Sequence, residues 1–289
     1  MLGLIKQSVV IDIELNKMKR ILSIQDVSCV GQCSTTVALP LVSACGIECS
    51  ILPSSILSNH TGGFKSWTFK DLTDQLSEIE KKWNELSIKF DAFYTGYVAE
   101  AHIKPILSIM RTTANEGAVR IVDPAMADHG VLYAGFADDF PSKMRELVSG
   151  ADYVLPNLTE AALLVGEKPD MNADEKKVLL LIEKLHALDV KNVILTGVSF
   201  DNESLGCAVS DGSKVTYDFN KRLSRLSHGT GDVFASVFTG ALLRGKTAIE
   251  ATSLAADIVC QAILETQEDH WYGVSFEKVI PQLCRAFNV

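Results

Sequence analysis

His228-Gly229-Thr230-Gly231-Asp232 runs directly into Val233-Phe234-Ala235-Ser236-Val237-Phe238, a glycine-rich turn that opens onto an apolar helix. Two glycines let the backbone aim its N–H groups at one point, and the helix that follows adds the positive end of its dipole, so the stretch suits a phosphate group. Asp232 falls in the first turn. A carboxylate there can accept the proton of a substrate hydroxyl while the amides hold the charge that builds on a transferring phosphoryl group. Taken alone, the same residues read equally well as a capped helix after an ordinary turn. The rest of the chain has to decide.

Working outward from the turn, apolar spacing predicts helices over 231–243 and 248–266. Upstream, 206–210 and 214–218 flank Asp211-Gly212-Ser213 and read as a hairpin. Before it, short apolar strands at 20–25, 48–53, 90–95, 118–122, 152–155 and 192–196 alternate with helical stretches at 35–44, 70–86, 103–113, 159–165 and 173–188. That alternation predicts an α/β fold with a mostly parallel central sheet, helices on both faces and an antiparallel hairpin at one edge. Ligands of such sheets bind beyond the carboxyl ends of the strands.

Two acidic motifs lie at such ends. Asp123-Pro124-Ala125-Met126-Ala127-Asp128 follows the strand at 118–122, and Pro156-Asn157-Leu158-Thr159-Glu160 follows Tyr153-Val154-Leu155. Hard carboxylate oxygens in these loops suit Mg²⁺, held directly or through water. Each motif alone also reads as a loop turn or a helix cap. A literal G-x4-G-K-T pattern at 240–247 is a decoy, because its first residues continue an apolar helix whose N–H groups are already bonded, while a phosphate loop needs them free. His60 and His228 flank the motifs and read either as pocket contacts or as satisfied structural histidines.

The chain has 289 residues, 47% of them hydrophobic, enough for a sizeable core, and one large domain over 18–289 is expected. A formal charge of -9 without basic clusters argues against a nucleic-acid surface. The seven cysteines include Cys29/Cys33 and Cys45/Cys49 at C-x3-C rather than C-x2-C spacing, which reads as reduced thiols in a cytoplasmic protein. Residues 1–17 read as an N-terminal extension. They lack a small-residue cleavage site and Asp12 breaks their apolar run, so neither a signal peptide nor a membrane anchor is expected.

With these motifs in place, the chain resembles the ribokinase-like kinases, whose marks include a GTGD turn, a D-P strand end and an N-x-x-E motif. Within them it is most similar to the pyridoxal kinases, through Ser58-Asn59-His60-Thr61-Gly62, Thr95-Gly96-Tyr97 and the first strand and loop at 21–31. The similarity spans about residues 18 to 289. It implies a ribokinase-like fold and ATP-dependent phosphorylation of the 5'-hydroxymethyl group of a B6 vitamer, giving pyridoxal 5'-phosphate or its analogue. It also implies Mg²⁺, commonly K⁺ beside the anion hole, and a homodimer. By matching position, Asp232 resembles the catalytic base, and the backbone of Gly229, Thr230 and Gly231 the anion hole. Asp123, Asn157, Glu160, Thr196 and Thr230 match the ATP-binding positions, with Asp128 and Glu160 on the metal. Asp26, Cys33, Thr61, Tyr97 and Asp232 match the vitamer pocket.

Asp26 departs from the pattern, since the family usually has Ser there, facing the pyridine nitrogen. A carboxylate at that position favours a protonated ring. The rival readings are a hydroxymethylpyrimidine, sugar or nucleoside kinase of the same superfamily and a non-catalytic vitamer-binding protein. Hydroxymethylpyrimidine kinases usually carry a Gly-rich stretch after the first strand, which 26–33 lacks. Intact Asp232 and Glu160 count against a pure binder.

Overall fold

A computed structural model describes residues 18–225 and 227–289. The expected extension over 1–17 lies outside the described residues. The chain runs β1 (Arg20–Ser28), α1 (Thr35–Ala44), β2 (Glu48–Leu57), β3 (Phe69–Asp71), α2 (Thr73–Glu85), β4 (Phe90–Thr95), α3 (Glu100–Thr113) and β5 (Ala114–Val122). A small hairpin follows, β6 (Ala127–Asp128) with β7 (Val131–Leu132), then α4 (Phe140–Val148), β8 (Tyr153–Val154), α5 (Leu158–Leu164), α6 (Glu175–His186) and β9 (Asn192–Val198). β10 (Ser204–Ser210), β11 (Val215–Lys221), α7 (Thr230–Leu243), α8 (Ala248–Glu265) and α9 (Ile280–Phe287) complete it.

Nine strands form one sheet in the order β11-β10-β9-β8-β5-β4-β1-β2-β3. From β9 to β2 all neighbours are parallel. The β10–β11 hairpin is antiparallel at one edge, as expected, and β3 is antiparallel at the other. Successive strand side chains point to opposite faces, and two cores result. Leu22, Ile24, Phe93, Val122, Val193 and Leu195 pack against Leu76, Ile106, Met144 and Leu181 of α2, α3, α4 and α6. Ile21, Ala92, Tyr94, Ile121 and Ile194 pack on the other face against Leu41, Phe238, Ile258 and Leu283 of α1, α7, α8 and α9. Each fully buried Leu, Ile or Phe contributes about 1.5–3 kcal/mol.

Two local differences have physical causes, and one expectation is explained. The helix expected over 70–86 starts only at Thr73, because Asp71 Oδ1 accepts the Thr73 N–H at 2.8 Å and Oδ2 lies 3.0 Å from His102 Nε2, which holds Phe69–Asp71 as an edge strand. The short helices α4 and α9 have Pro141 and Pro281 in their first turns and too few residues to give a clear apolar period. Gly240 lies inside α7, where an added Cβ would meet Cys45 Sγ at 2.4 Å, so it is a close-packing glycine and not part of a phosphate loop.

Candidate active site

The turn before α7 is built from a left-handed glycine. Gly229 has φ +80, and a Cβ on it would sit 1.7 Å from the Gln32 carbonyl oxygen. No other residue fits that approach, and it brings the loop after β1 against the start of α7. Asp232 lies half-buried in the first turn. Burial raises its carboxyl to about 7; a hydrogen bond from the Ser34 backbone opposes the shift and the Asp26 carboxyl adds to it.

Asp123 ends β5, its N–H donating to Thr95 O at 3.0 Å. Its buried carboxylate receives no hydrogen bond among the described residues, and burial, Glu160 and Asp232 together push it well above the usual carboxylate range. Glu160 is differently placed. Oε1 accepts from Met126 N at 3.1 Å and Ala127 N at 3.4 Å, and Oε2 accepts from Asn157 N at 2.9 Å. Asn157 Oδ1 in turn accepts from the Glu160 N–H at 2.9 Å, and its Nδ2 donates to Ala127 O at 2.8 Å. The N-x-x-E motif is therefore a reciprocal helix cap that also ties down the loop after β5. Burial still raises the Glu160 carboxyl, with Asp128 adding to it.

Asp128 sits on the β6–β7 hairpin, with Oδ1 accepting from His129 N at 2.7 Å and its side chain 45% exposed. Thr196 lies beside Asn157 in a parallel bridge and donates its N–H to Pro156 O at 2.9 Å. Among the described residues no three acidic, imidazole or thiol side chains are gathered as a ready metal site; what Asp123, the partly exposed Asp128 and the remaining Oε2 lone pair of Glu160 offer is the donor chemistry, hard oxygens of the kind that suit Mg²⁺. No helix among the described residues is long and apolar enough to cross a membrane.

Of the expected pocket residues, Asp26 and Cys33 lie within electrostatic reach of Asp232, and Tyr97 within that of Asp26. Asp26 is 3% exposed, at the point where the β1–β2 register slips. Burial raises its carboxyl, while hydrogen bonds from Ser34 and Ser28 hold it down, the Ser28 hydroxyl at 2.8 Å. Burial pushes the Cys33 thiol up, and Asp232 and Asp26 add to that. The Tyr97 phenol is pushed up to about 12 by burial and by Asp26. The Asp26 carboxyl thus acts on Asp232, Cys33 and Tyr97, and Asp232 acts on Cys33. Thr61 arrives with its loop, and its side chain makes no hydrogen bond among the described residues.

Tyr133 carries no motif signal in the sequence. Although 37% of it is exposed, partial desolvation of its phenol and the charges of Glu160, Asp128, Asp123 and Asp232 raise its pKa, so it lies within electrostatic reach of all four acids. It follows a two-residue strand that carries no motif. Ser34, whose positive φ of 51 turns the chain into α1, carries none either. A separate hollow between α6 and β11, lined by Glu175, His186 and Tyr217, shares none of these residues.

A glycine turn at a helix start facing acids from neighbouring parallel strands is the architecture of a ribokinase-like small-molecule kinase. Residues 52–273 match the family described as phosphomethylpyrimidine kinase. Among solved structures, the chain is similar to the pyridoxal kinase of Lactobacillus plantarum, with 31% identity, TM-score 0.86 and coverage of 93% of this chain and 98% of that one. It is likewise similar to a putative phosphomethylpyrimidine kinase of Bacteroides thetaiotaomicron solved with pyridoxal, at 30% identity, TM-score 0.87 and coverage of 92% and 96%. A curated relative, the pyridoxal kinase of Dictyostelium discoideum, is 28% identical over 254 residues, covering 84% of this chain and 82% of the relative. The chain belongs to the phosphomethylpyrimidine kinase family, among relatives that are pyridoxal kinases.

Proposed function

We propose that this chain is a pyridoxal kinase, transferring the γ-phosphoryl group of ATP to the 5'-hydroxymethyl group of a B6 vitamer. The observation that carries the reading is that Asp232, at the glycine turn, stands within electrostatic reach of Asp26 and Cys33 as well as of Asp123, while Tyr97 is within reach of Asp26 and Glu160 of Asp123. Asp26, Cys33 and Tyr97 suit a heterocycle, and Asp123 with Glu160 suits the metal and phosphates of a nucleotide. In this reading the vitamer's hydroxyl faces Asp232, which takes its proton as the oxygen attacks in line. The backbone amides of Gly229, Thr230 and Gly231 stabilise the charge on the moving phosphoryl group. Asn157 and Thr196 line the ATP side. Asp123, Asp128 and the free lone pair of Glu160 would hold Mg²⁺, which neutralises phosphate charge when bound.

Asp26 supports a ring that is held as its pyridinium once bound. A buried carboxyl with a raised pKa and a pyridine nitrogen can share one proton, and the ion pair restores the carboxylate. The test is ADP release measured across pyridoxal, pyridoxine, pyridoxamine and hydroxymethylpyrimidine, with Asp232→Asn as control. Turnover of a B6 vitamer that vanishes in the variant is expected. Turnover of hydroxymethylpyrimidine alone would assign the chain to the other activity of its family, and binding without ADP release would make it a vitamer-binding protein. The same assay tests K⁺ when K⁺ is exchanged for Na⁺.

A homodimer is supported by the exposed Ile51, Ile56 and Phe69 on β2 and β3, an apolar flank at the sheet edge. Light scattering on the purified chain checks it. Seven unpaired thiols support a reducing, cytoplasmic setting.

A further inference from the structure

His60 is 6% exposed and sits where four chain segments meet. Its N–H donates to Val30 O at 3.1 Å, in the loop after β1 that carries Cys33. Its Nε2 lies 3.0 Å from Tyr272 O, and its Nδ1 accepts the Gly62 N–H at 3.0 Å, beside Thr61. A carbonyl can only accept and an amide N–H can only donate, so the ring is fixed as the neutral tautomer with its proton on Nε2. The ring also packs against Phe64 at 5.0 Å and His228 at 5.4 Å, the latter next to the glycine turn.

The glycines around it are shaped to this ring. A Cβ on Gly31 would meet His60 Cδ2 at 2.0 Å, and one on Gly62 would meet His228 Nδ1 at 2.8 Å. Tyr272 O also accepts the Gln32 N–H at 3.4 Å, and Val274 N donates to His228 O at 3.2 Å, so the 272–274 segment closes the same ring of contacts. Burial and His228 lower the imidazole's pKa, while the bond to Tyr272 opposes them, which keeps the accepting Nδ1 bare.

We infer that His60 is a positioning residue that holds the acceptor-binding loops, at 29–33 and 58–63, in register with the Gly229–Asp232 turn. It acts through its two ring bonds and does not contact the reacting atoms. The inference rests on the kinase reading above.

The experiment compares His60→Ala, His60→Asn and His60→Gln. Asn places an acceptor near the Gly62 N–H but does not reach Tyr272 O, and Gln reaches Tyr272 O with a donor but misplaces the acceptor. KM for the acceptor is expected to rise about tenfold or more in the Ala variant, with the Asn and Gln variants between it and the parent and KM for ATP within about twofold. Hydrogen exchange without substrate should speed up in the 29–33, 58–63 and 272–274 segments together. An unchanged acceptor KM and unchanged exchange in the Ala variant would overturn the inference, as would equal losses of acceptor and ATP affinity. Should the Ala variant not fold, equal behaviour of the Asn variant and the parent in both readouts overturns it. Exchange is read whatever the substrate proves to be, so it separates failure of this inference from failure of the pyridoxal assignment.

Discussion

Asp232 in the folded protein keeps its proton to about pH 7 because burial outweighs the Ser34 hydrogen bond. A base of that strength is half-ionised at working pH, the condition under which general-base catalysis is most effective. Asp232→Asn is expected to lower kcat by two to four decades, roughly the worth of a positioned base, measured by ADP release at saturating vitamer. In the parent, kcat/KM should fall as pH drops below about 7, since protonation removes the acceptor lone pair. The same shift bears on stability. Unfolded, the group ionises near the ordinary carboxylate value of 3.8; folded, it holds the proton to about 7, so stability declines as pH rises through that window and the penalty persists above it. Asp232→Asn should therefore melt higher than the parent at pH 8 without ligands, and the gap should close toward pH 4. A lower melting temperature at pH 8 would show that Asp232 is stabilised where it sits. Asp26→Asn makes the companion case: KM for the ring substrate should rise with ATP affinity unchanged, and an unaltered KM would remove Asp26 from the ring nitrogen.

At the scale of elements, the site depends on how two helices begin. α7 starts on Gly229, whose φ of +80 and approach to the Gln32 carbonyl leave no space for a side chain. Gly229→Ala must shift either the turn or the loop after β1, and kcat should drop by about two decades or more, the usual loss when an oxyanion donor is misaligned. α5 starts on the Asn157–Glu160 cap. Asn157→Ala removes the acceptor of Glu160 N and the donor to Ala127 O, so it should cost about 1–2 kcal/mol by chemical denaturation and raise KM for ATP. The α7 start could be anticipated because a phosphate turn and its helix are neighbours in sequence. The second role of Glu160 could not, for its partners Met126 and Ala127 lie on another strand's loop.

Across the whole molecule, acids from separate strand ends act on one another, Glu160 and Asp232 on Asp123 and Asp128 on Glu160, so these carboxylates repel. A divalent cation with ATP relieves that repulsion. Melting temperature should rise when ATP and Mg²⁺ are added together, by the equivalent of about 2.7 kcal/mol at a hundredfold excess over Kd, and EDTA should abolish most of the shift. An EDTA-insensitive shift would mean that the acids do not need the metal.

The amino-acid sequence by itself determined the alternating strands and helices, the edge hairpin and the glycine turn that opens a helix, because apolar periods and glycine spacings are local properties readable within a dozen residues. It also marked the acids at the strand ends. Only the tertiary structure decided that Asp26 and Cys33 come within reach of Asp232 and Tyr97 within reach of Asp26, that Glu160 spends three of its lone pairs on backbone amides, that Tyr133 feels four carboxylates, and that His60 joins loops from distant parts of the chain. Those facts depend on strand order and on the packing of helices over the sheet, which bring together residues whose separation along the chain carries no trace of their contact.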